Sequence, residues 1–213
     1  MKAPVKPDVS ATVLTRNRYQ RLSPWYDQMQ GMSEKRFMPW RTRLWSQVQG
    51  SHVLEVGVGT GKNMPYYPEG LHITAIDLTP GMLERARKRA VELNLNVDLR
   101  LGDAQALEFP TASFDSAVAT FVFCSVPDPM LGLSEIRRVV KPGGQVLLLE
   151  HLRSENQIVG ALMDVLNPLV VRMMGANINR RTVENVQKSG LVVEKVENLG
   201  MGGVFKLILA RVE

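Results

Sequence analysis

A chain of 213 residues with 45% hydrophobic and 22% charged residues suits one α/β domain with a small appendage, and is too apolar to be disordered or fibrous. The single Cys124 excludes an internal disulfide framework. The net charge of +5 is concentrated at one end: residues 1–50 hold nine Lys/Arg against three acids, which leaves the remainder near −1.

Residues 1–12 read as a polar, proline-bearing tail without the apolar core of a signal peptide. No apolar run reaches the roughly 20 residues of a bilayer span, so the expected location is cytoplasmic. From Val13 to Gln49 the pattern predicts two or three helices, interrupted at Ser23-Pro24, around Gly31 and near Pro39. Phe37, Trp40, Leu44, Trp45 and Val48 make one broad apolar face there, alternating with Arg41 and Arg43. Basic and aromatic residues together, with Tyr19, Trp25 and Tyr26 among them, suit either a cap over the core or peripheral contact with an anionic membrane face through residues 13–50.

Beyond Gly50 strands alternate with helices. Apolar, β-branched runs at His52–Val56, Leu71–Ile76, Val97–Leu101, Ser116–Phe123 and Gln145–Glu150 predict five strands. Between them, Pro80–Leu93 predicts a helix with Thr79 as N-cap and Pro80 at N1, and Pro129–Val140 predicts another ending at Lys141-Pro142-Gly143-Gly144. Such alternation predicts a parallel, doubly wound sheet. The tail differs. Ile158–Met174 is apolar, methionine-rich and broken at Asn167-Pro168, and a helix follows over Arg181–Ser189. Leu191–Glu197 and Val204–Ala210 are strands whose connection is too short for a helical crossover, so they pair antiparallel.

The first strand ends in a nucleotide cradle. Gly57, Gly59 and Gly61 remove the side chains that would hold a ligand away from the backbone. A P-loop reading fails, because Val56 and Asn63 stand where its first glycine and its magnesium-holding hydroxyl belong. A dinucleotide turn fits less well than its pattern requires, because Lys62 replaces the third glycine.

More residues fit a third pattern. Glu55-x-Gly57-x-Gly59-x-Gly61, an acid closing the second strand (Asp77), Gly102-Asp103-Ala104 after the third, Phe114-Asp115 opening the fourth and Lys141-Pro142-Gly143-Gly144 before the fifth resemble, in order, the motifs of class I S-adenosylmethionine-dependent methyltransferases. The resemblance implies a Rossmann-like doubly wound seven-stranded sheet of order 3-2-1-4-5-7-6 with its last strand antiparallel. An N-terminal helical cap over 1–50 and a methyltransferase domain over 51–213 follow from it. It also implies S-adenosyl-L-methionine as cofactor, held at Glu55, Gly57, Gly59, Gly61, Asp77, Leu78, Asp103, Ala104 and Thr120. In that family the acid matching Asp77 takes the ribose hydroxyls and the one matching Asp103 accepts from the adenine amino group, while Glu55 organises the turn. The cofactor has no phosphates, so a site built from close backbone approach and acceptors, without a cationic cradle, suits it. Tyr26-Asp27 resembles a tyrosine-aspartate pair of lipid- and quinone-modifying members, in which the tyrosine reaches over the cofactor.

For the methyl acceptor, the sequence first excludes. Thr120-Phe121-Val122-Phe123-Cys124 lacks the Asn/Asp-Pro-Pro-aromatic turn of enzymes that methylate base amines, so no nucleic-acid partner is expected. Cys124 follows Phe123 and so lacks the Pro-Cys context of cytosine C5 enzymes; it reads as a small apolar residue. No acid follows the fourth strand until Asp128, so no metal is expected. What remains is a small or lipid acceptor. The basic aromatic segment resembles bacterial phosphatidylethanolamine N-methyltransferases, which implies peripheral association at the inner membrane face. Phe123-Cys124-Ser125-Val126, Glu150-His151 and Leu166 to Arg180 resemble membrane-associated thiol methyltransferases, and the central motifs are shared with quinone C-methyltransferases. His151, just past strand five, is the candidate base or acceptor-orienting group, with Tyr26 as its catalytic companion. Asn177, Asn179 and Arg180 are candidates to hold an acceptor phosphate or carboxylate, or to cap the next helix. A catalytically silent cofactor-binding protein is a separate reading, and the oligomeric state stays open.

Overall fold

The computed structural model describes residues 6–200 and 202–213. Residues 1–5 of the expected tail, and Met201 in the final strand connection, lie outside them. Helices α1 (Val9–Leu22) and α2 (Tyr26–Trp45) precede β1 (His52–Val56), β2 (His72–Asp77), α3 (Pro80–Glu92), β3 (Val97–Leu101) and β4 (Phe114–Thr120). Then come α4 (Pro129–Val139), β5 (Val140–His151), α5 (Gln157–Met174), α6 (Thr182–Lys188), β6 (Val192–Gly200) and β7 (Phe205–Arg211). The strands form one sheet of order β3-β2-β1-β4-β5-β7-β6, and β7 runs antiparallel to both of its neighbours. Sheet order and direction are those the resemblance implied.

Alternation along the strands divides the core between two faces. Leu54 and Val56 of β1 share one face with Ala117, Leu148, Ile208 and the inward residues of α4 and α6, including Leu133, Ile136 and Val186. Val53 points the other way, into a cluster with Ala75, Val118, Leu147, Leu207, Leu83 and Ala86 of α3, and Leu44 and Trp45 of α2. The N-terminal segment therefore contributes wholly buried side chains to the core of the sheet.

Three helix predictions need correction. α1 begins at Val9, inside the expected tail, because Asp8 caps it by accepting from the backbone N–H of Ser10 and Ala11. α2 runs unbroken through Gly31 and Pro39, and α5 through Pro168. A proline inside a helix frees the carbonyl four residues earlier. Here those carbonyls belong to Lys35 and Asp164, both exposed residues. The break at Ser23-Pro24 stands where expected, between α1 and α2.

The six aromatics Tyr19, Trp25, Tyr26, Phe37, Trp40 and Trp45 of the basic segment turn mostly inward; Trp25 alone among them is exposed. Phe37 and Trp40 join Phe121 and Phe205 in a cluster with ring centroids 4.8–5.5 Å apart across the α2 contacts. Exposed apolar side chains concentrate instead on α5.

Candidate active site

The sheet order changes direction at β1, which has β2 on one side and β4 on the other. The carboxyl ends of these strands open into a cleft, the usual ligand position of an open α/β sheet. A cleft enclosing about 730 Å³ of space, open solvent included, lies there. Gly57, Gly59, Asp77, Leu78, Asp103, Ala104, Thr120 and Tyr26 line it, eight of the residues singled out in the sequence.

The glycine turn is built for close approach at one position. Gly59 has φ +56°, and a Cβ added there would meet nothing within 4 Å, so this backbone faces open cleft. A Cβ at Gly57 would instead strike Val122 at 2.5 Å, so that glycine serves packing. The Asp77 carboxylate spans the turn, accepting from the N–H of Gly59 at 2.9 Å and of Thr79 at 2.8 Å. Thr79 does occupy the N-cap of α3, but with no side-chain capping bond of its own. The Asp77 carboxylate also lines the cavity, with acceptor capacity beyond these two bonds. Burial pushes this carboxyl above the ordinary value, and the two N–H donors together with the Thr79 side chain oppose that. Asp103 accepts from the Gln105 backbone and side chain at 2.9 and 3.1 Å, and from the Thr12 hydroxyl at 3.4 Å.

That last contact belongs to α1, the part of the N-terminal segment that lies over the cleft. α1 crosses the cleft with Thr15 and Tyr19 lining it. It is fixed at one end by Thr12 to Asp103 and Gln105, in the middle by a 2.6 Å bond between the Tyr19 and Ser125 hydroxyls, and beyond by Gln20 accepting from the Gly81 N–H. Burial pushes the Tyr26 phenol up to about 12 and the Tyr19 phenol further, so both stay protonated near neutrality. They can donate or accept hydrogen bonds to an acceptor but cannot serve as bases there.

Glu55 and Gly61 stand behind the lining. Glu55, almost wholly buried, accepts from Asn63 Nδ2 at 2.6 Å and from the Tyr67 hydroxyl. Asn63 Nδ2 also reaches Thr120 Oγ1 at 3.0 Å, and Asn63 Oδ1 accepts from Arg41 Nη1 at 2.6 Å. Arg41 of α2 lies over the Phe121 ring, 5.7 Å from its centroid, and its Nε donates to Glu34 at 2.8 Å. A polar chain thus runs from Arg41 of α2 through Asn63, just beyond the glycine turn, to Glu55. Arg41 and Asn63 went unnoticed in the sequence, where one read as part of a basic stripe and the other as a failed P-loop position.

His151 also stands outside the cavity lining. Strand alternation turns it toward Phe205, whose ring it meets edge-on at 5.4 Å, and burial lowers its imidazole pKa, so it is neutral at pH 7. Cys124 is buried behind the lining with its thiol pushed up to about 12 by burial, which keeps it protonated. Asn177 donates to the Cys124 carbonyl, Asn179 to Asp164 and Arg180 to the Val126 carbonyl, so all three fasten the segment after α5 to its surroundings. The N-cap of α6 is Arg181. Asp115 and Lys141, parts of the ordered motif set, sit at the opposite end of the sheet. The Lys141 bond, with the N–H groups of His52 and Ser51, holds the Asp115 carboxyl well below its ordinary range.

Glu150, on the β5 face opposite His151, bends the chain after β4 by accepting from the N–H of Val122 and Phe123 at 2.9 and 3.0 Å. That bend is why β4 ends at Thr120 rather than at the predicted Phe123, and it leaves Phe121 at φ +57° against the cavity. Desolvation pushes the Glu150 carboxyl up to about 7, well above the range of an unfolded-chain carboxyl. The folded state therefore binds the extra proton between those two values, and stability falls as pH rises through that window. Glu150→Gln keeps an acceptor for both N–H groups and removes the titration. Its melting temperature is expected to be flat from pH 5 to 8 and to exceed that of the parent at pH 8, by about 2 kcal/mol in stability. Parallel pH profiles for the two proteins would contradict this.

Residues 54–148 match the family described as a methyltransferase domain. The chain is 39% identical over 124 residues to a phosphatidylethanolamine N-methyltransferase of Cereibacter sphaeroides, covering 57% of this chain and 61% of the relative. It is 37% identical over 142 residues to a demethylmenaquinone methyltransferase of Listeria monocytogenes, covering 62% and 60%. The matches thus span about three fifths of the length of these relatives. Among solved structures, an S-adenosylmethionine-dependent methyltransferase from Thermotoga maritima superposes with a TM-score of 0.70 at 20% identity, over 92% of this chain and 99% of the other, a likeness of fold.

Proposed function

We propose that this chain, whose residues 54–148 match a methyltransferase domain, transfers a methyl group from S-adenosylmethionine to an amphiphilic small molecule. The first candidate acceptor is the amine of phosphatidylethanolamine. The observation that carries this reading is the cavity itself: two carboxylates and an open glycine backbone on one side, Phe121, Val122 and Val126 on the other, and α1 closed across it. That shape suits a cofactor with hydroxyl and amino donors beside an acceptor with apolar character. The identity to the Cereibacter enzyme favours the phospholipid amine; the Listeria relative supports quinone C-methylation as the second reading.

When bound, the cofactor supplies an electrophilic sulfonium methyl. Asp77, Asp103 and the Gly59 backbone bind and orient it, and α1 with Tyr19 and Tyr26 excludes water from the reacting centre. An acceptor amine held there would displace the sulfide from that methyl and would give up its surplus proton on release to solvent. Tyr19, Tyr26 and Ser125 line the cavity with hydroxyls to align the acceptor. His151 orients the acceptor indirectly, through the ring of Phe205 against Phe121. His151→Ala is therefore expected to lower kcat about threefold to fivefold, a loss of about 1 kcal/mol, with the pH profile of kcat/KM unchanged. Disappearance of an ionisation from that profile would instead make His151 the base.

The reading is tested by transfer of radiolabelled methyl to anionic liposomes containing phosphatidylethanolamine, beside a demethylated quinone and a panel of thiols. Label in the phospholipid is the expected result. No label in any acceptor, with tight cofactor binding, would favour a catalytically silent binder.

A further inference from the structure

α5 is the one helix among the described residues that is both long and apolar enough to cross a bilayer, and only 6% of its window is buried. It does not leave the domain. At its start Arg153 N–H bonds the Arg180 carbonyl, and after its end Asn177 N–H bonds the Cys124 carbonyl, so both flanks are pinned to the same edge of the sheet. The helix, about 27 Å long at 1.5 Å per residue, lies along the surface.

Its outer face is defined by Ile158, Leu162, Val165, Leu166, Leu169 and Met173, each 41–82% exposed. At 100° per residue these six fall within an arc of about 100°. Asp164, the only acid of the helix, lies on the opposite side, held by Arg153 at 2.9 Å and Asn179 at 3.1 Å. A contiguous apolar face of this kind marks an interaction surface.

The surrounding charge selects the occupant. Arg172 flanks the stripe, and the α5 C-cap, Gly175, packs against Arg18 and Tyr19 of α1. α1 carries Arg16, Arg18 and Arg21, with no acid along its length, and exposes Val9, Val13 and Leu14. Among the described residues none of these four arginines has a carboxylate partner; Arg21 donates to the Asn17 carbonyl. Two copies meeting face to face would set these guanidinium groups against each other, whereas anionic headgroups would neutralise them. Tyr19 lines the cavity, so this face adjoins the site at which an amphiphilic acceptor would arrive.

We infer that α5, flanked by the arginines of α1, is a docking surface for an anionic lipid bilayer, inserting its apolar face at the headgroup boundary beside the active-site mouth. This rests on the amphiphilic-acceptor reading only for why the two are adjacent, and vesicle binding without any acceptor tests it separately. The full chain would be sedimented with phosphatidylglycerol/phosphatidylcholine vesicles and with phosphatidylcholine alone. Strong binding to the first, weak binding to the second, and at least a tenfold loss for the triple variant Leu162→Gln/Val165→Gln/Leu169→Gln are expected. The variant's calorimetric affinity for S-adenosylmethionine and its melting temperature should stay at parental values, which separates lost docking from lost folding. Equal vesicle binding by parent and variant overturns the inference, as does a parental dimer in vesicle-free sedimentation that the variant abolishes. Intact vesicle binding with no methyl transfer would leave the docking surface standing and defeat the proposed reaction.

Discussion

Asp77→Ala is expected to lower the calorimetric affinity for S-adenosylmethionine at least a hundredfold. The carboxylate closes β2 at the cavity, and is the acceptor there for ribose hydroxyls in the proposed site. Each hydrogen bond to a charged acceptor contributes about 1.5–3 kcal/mol, and two together correspond to a hundredfold or more. The same substitution strips the N–H groups of Gly59 and Thr79 of their partner, so part of the loss comes from a turn no longer held open. Asp77→Asn separates the two effects. It keeps an acceptor for one of the two N–H groups and turns a donor toward the other, so it should melt between the parent and the alanine variant while losing about tenfold in affinity. Near-parental affinity in the alanine variant would remove Asp77 from the cofactor site.

The parts legible in the sequence are those in which local chemistry and the global fold agree. Strands were readable from β-branched runs, and Pro80 and Asp77 bracket a strand-to-helix turn whose residue types leave few alternatives. The aspartates at 77 and 103 could be assigned to one cleft because strand order puts the ends of β2 and β3 side by side. The helices α2 and α5 were misread at Pro39 and Pro168, because proline is judged locally as a breaker; in α2 the buried Leu44 and Trp45 offset roughly 3 kcal/mol of intrinsic penalty, whereas the largely exposed α5 relies on its Asn156 cap and its pinned flanks. Side-chain destination was the least legible. The pattern of apolar and basic residues around Phe37–Arg43 fits a membrane face and a core cap equally well. Only the sheet beneath shows that Trp45 is wholly buried, that Phe37 and Trp40 pack on Phe205, and that Arg41 points inward while Arg43 points out. His151 illustrates the same gap: its position past β5 is readable, but the side to which it points depends on register.

Arg41 is where this hidden part of the design has its largest consequence. The guanidinium is 4% exposed and joins Glu34, Asn63 and the Phe121 face, and through Asn63 it is coupled to the buried Glu55 carboxylate. Burial, with a smaller push from Asp77, raises the Glu55 carboxyl; the Tyr67 and Asn63 hydrogen bonds and the nearby Arg41 charge oppose the rise without cancelling it. Arg41→Ala would leave Asn63 Oδ1 unpaired and the Glu55 charge without its nearby cation. Breaking a buried charged network in this way costs about 3–5 kcal/mol, equivalent to a fall of about 10 °C in melting temperature for a chain of this size. Arg43, two residues along the same helix, pairs with Glu197 at the surface, so Arg43→Ala should change stability by less than about 1 kcal/mol although it removes the same formal charge. Because Asn63 also holds Thr120 and Arg41 covers Phe121, both cavity residues, the Arg41 variant should bind cofactor more weakly even below its melting temperature. Similar melting temperatures for the two variants would mean that the basic segment acts only as surface charge; the expected gap between them follows from Arg41 being part of the support on which the glycine turn rests.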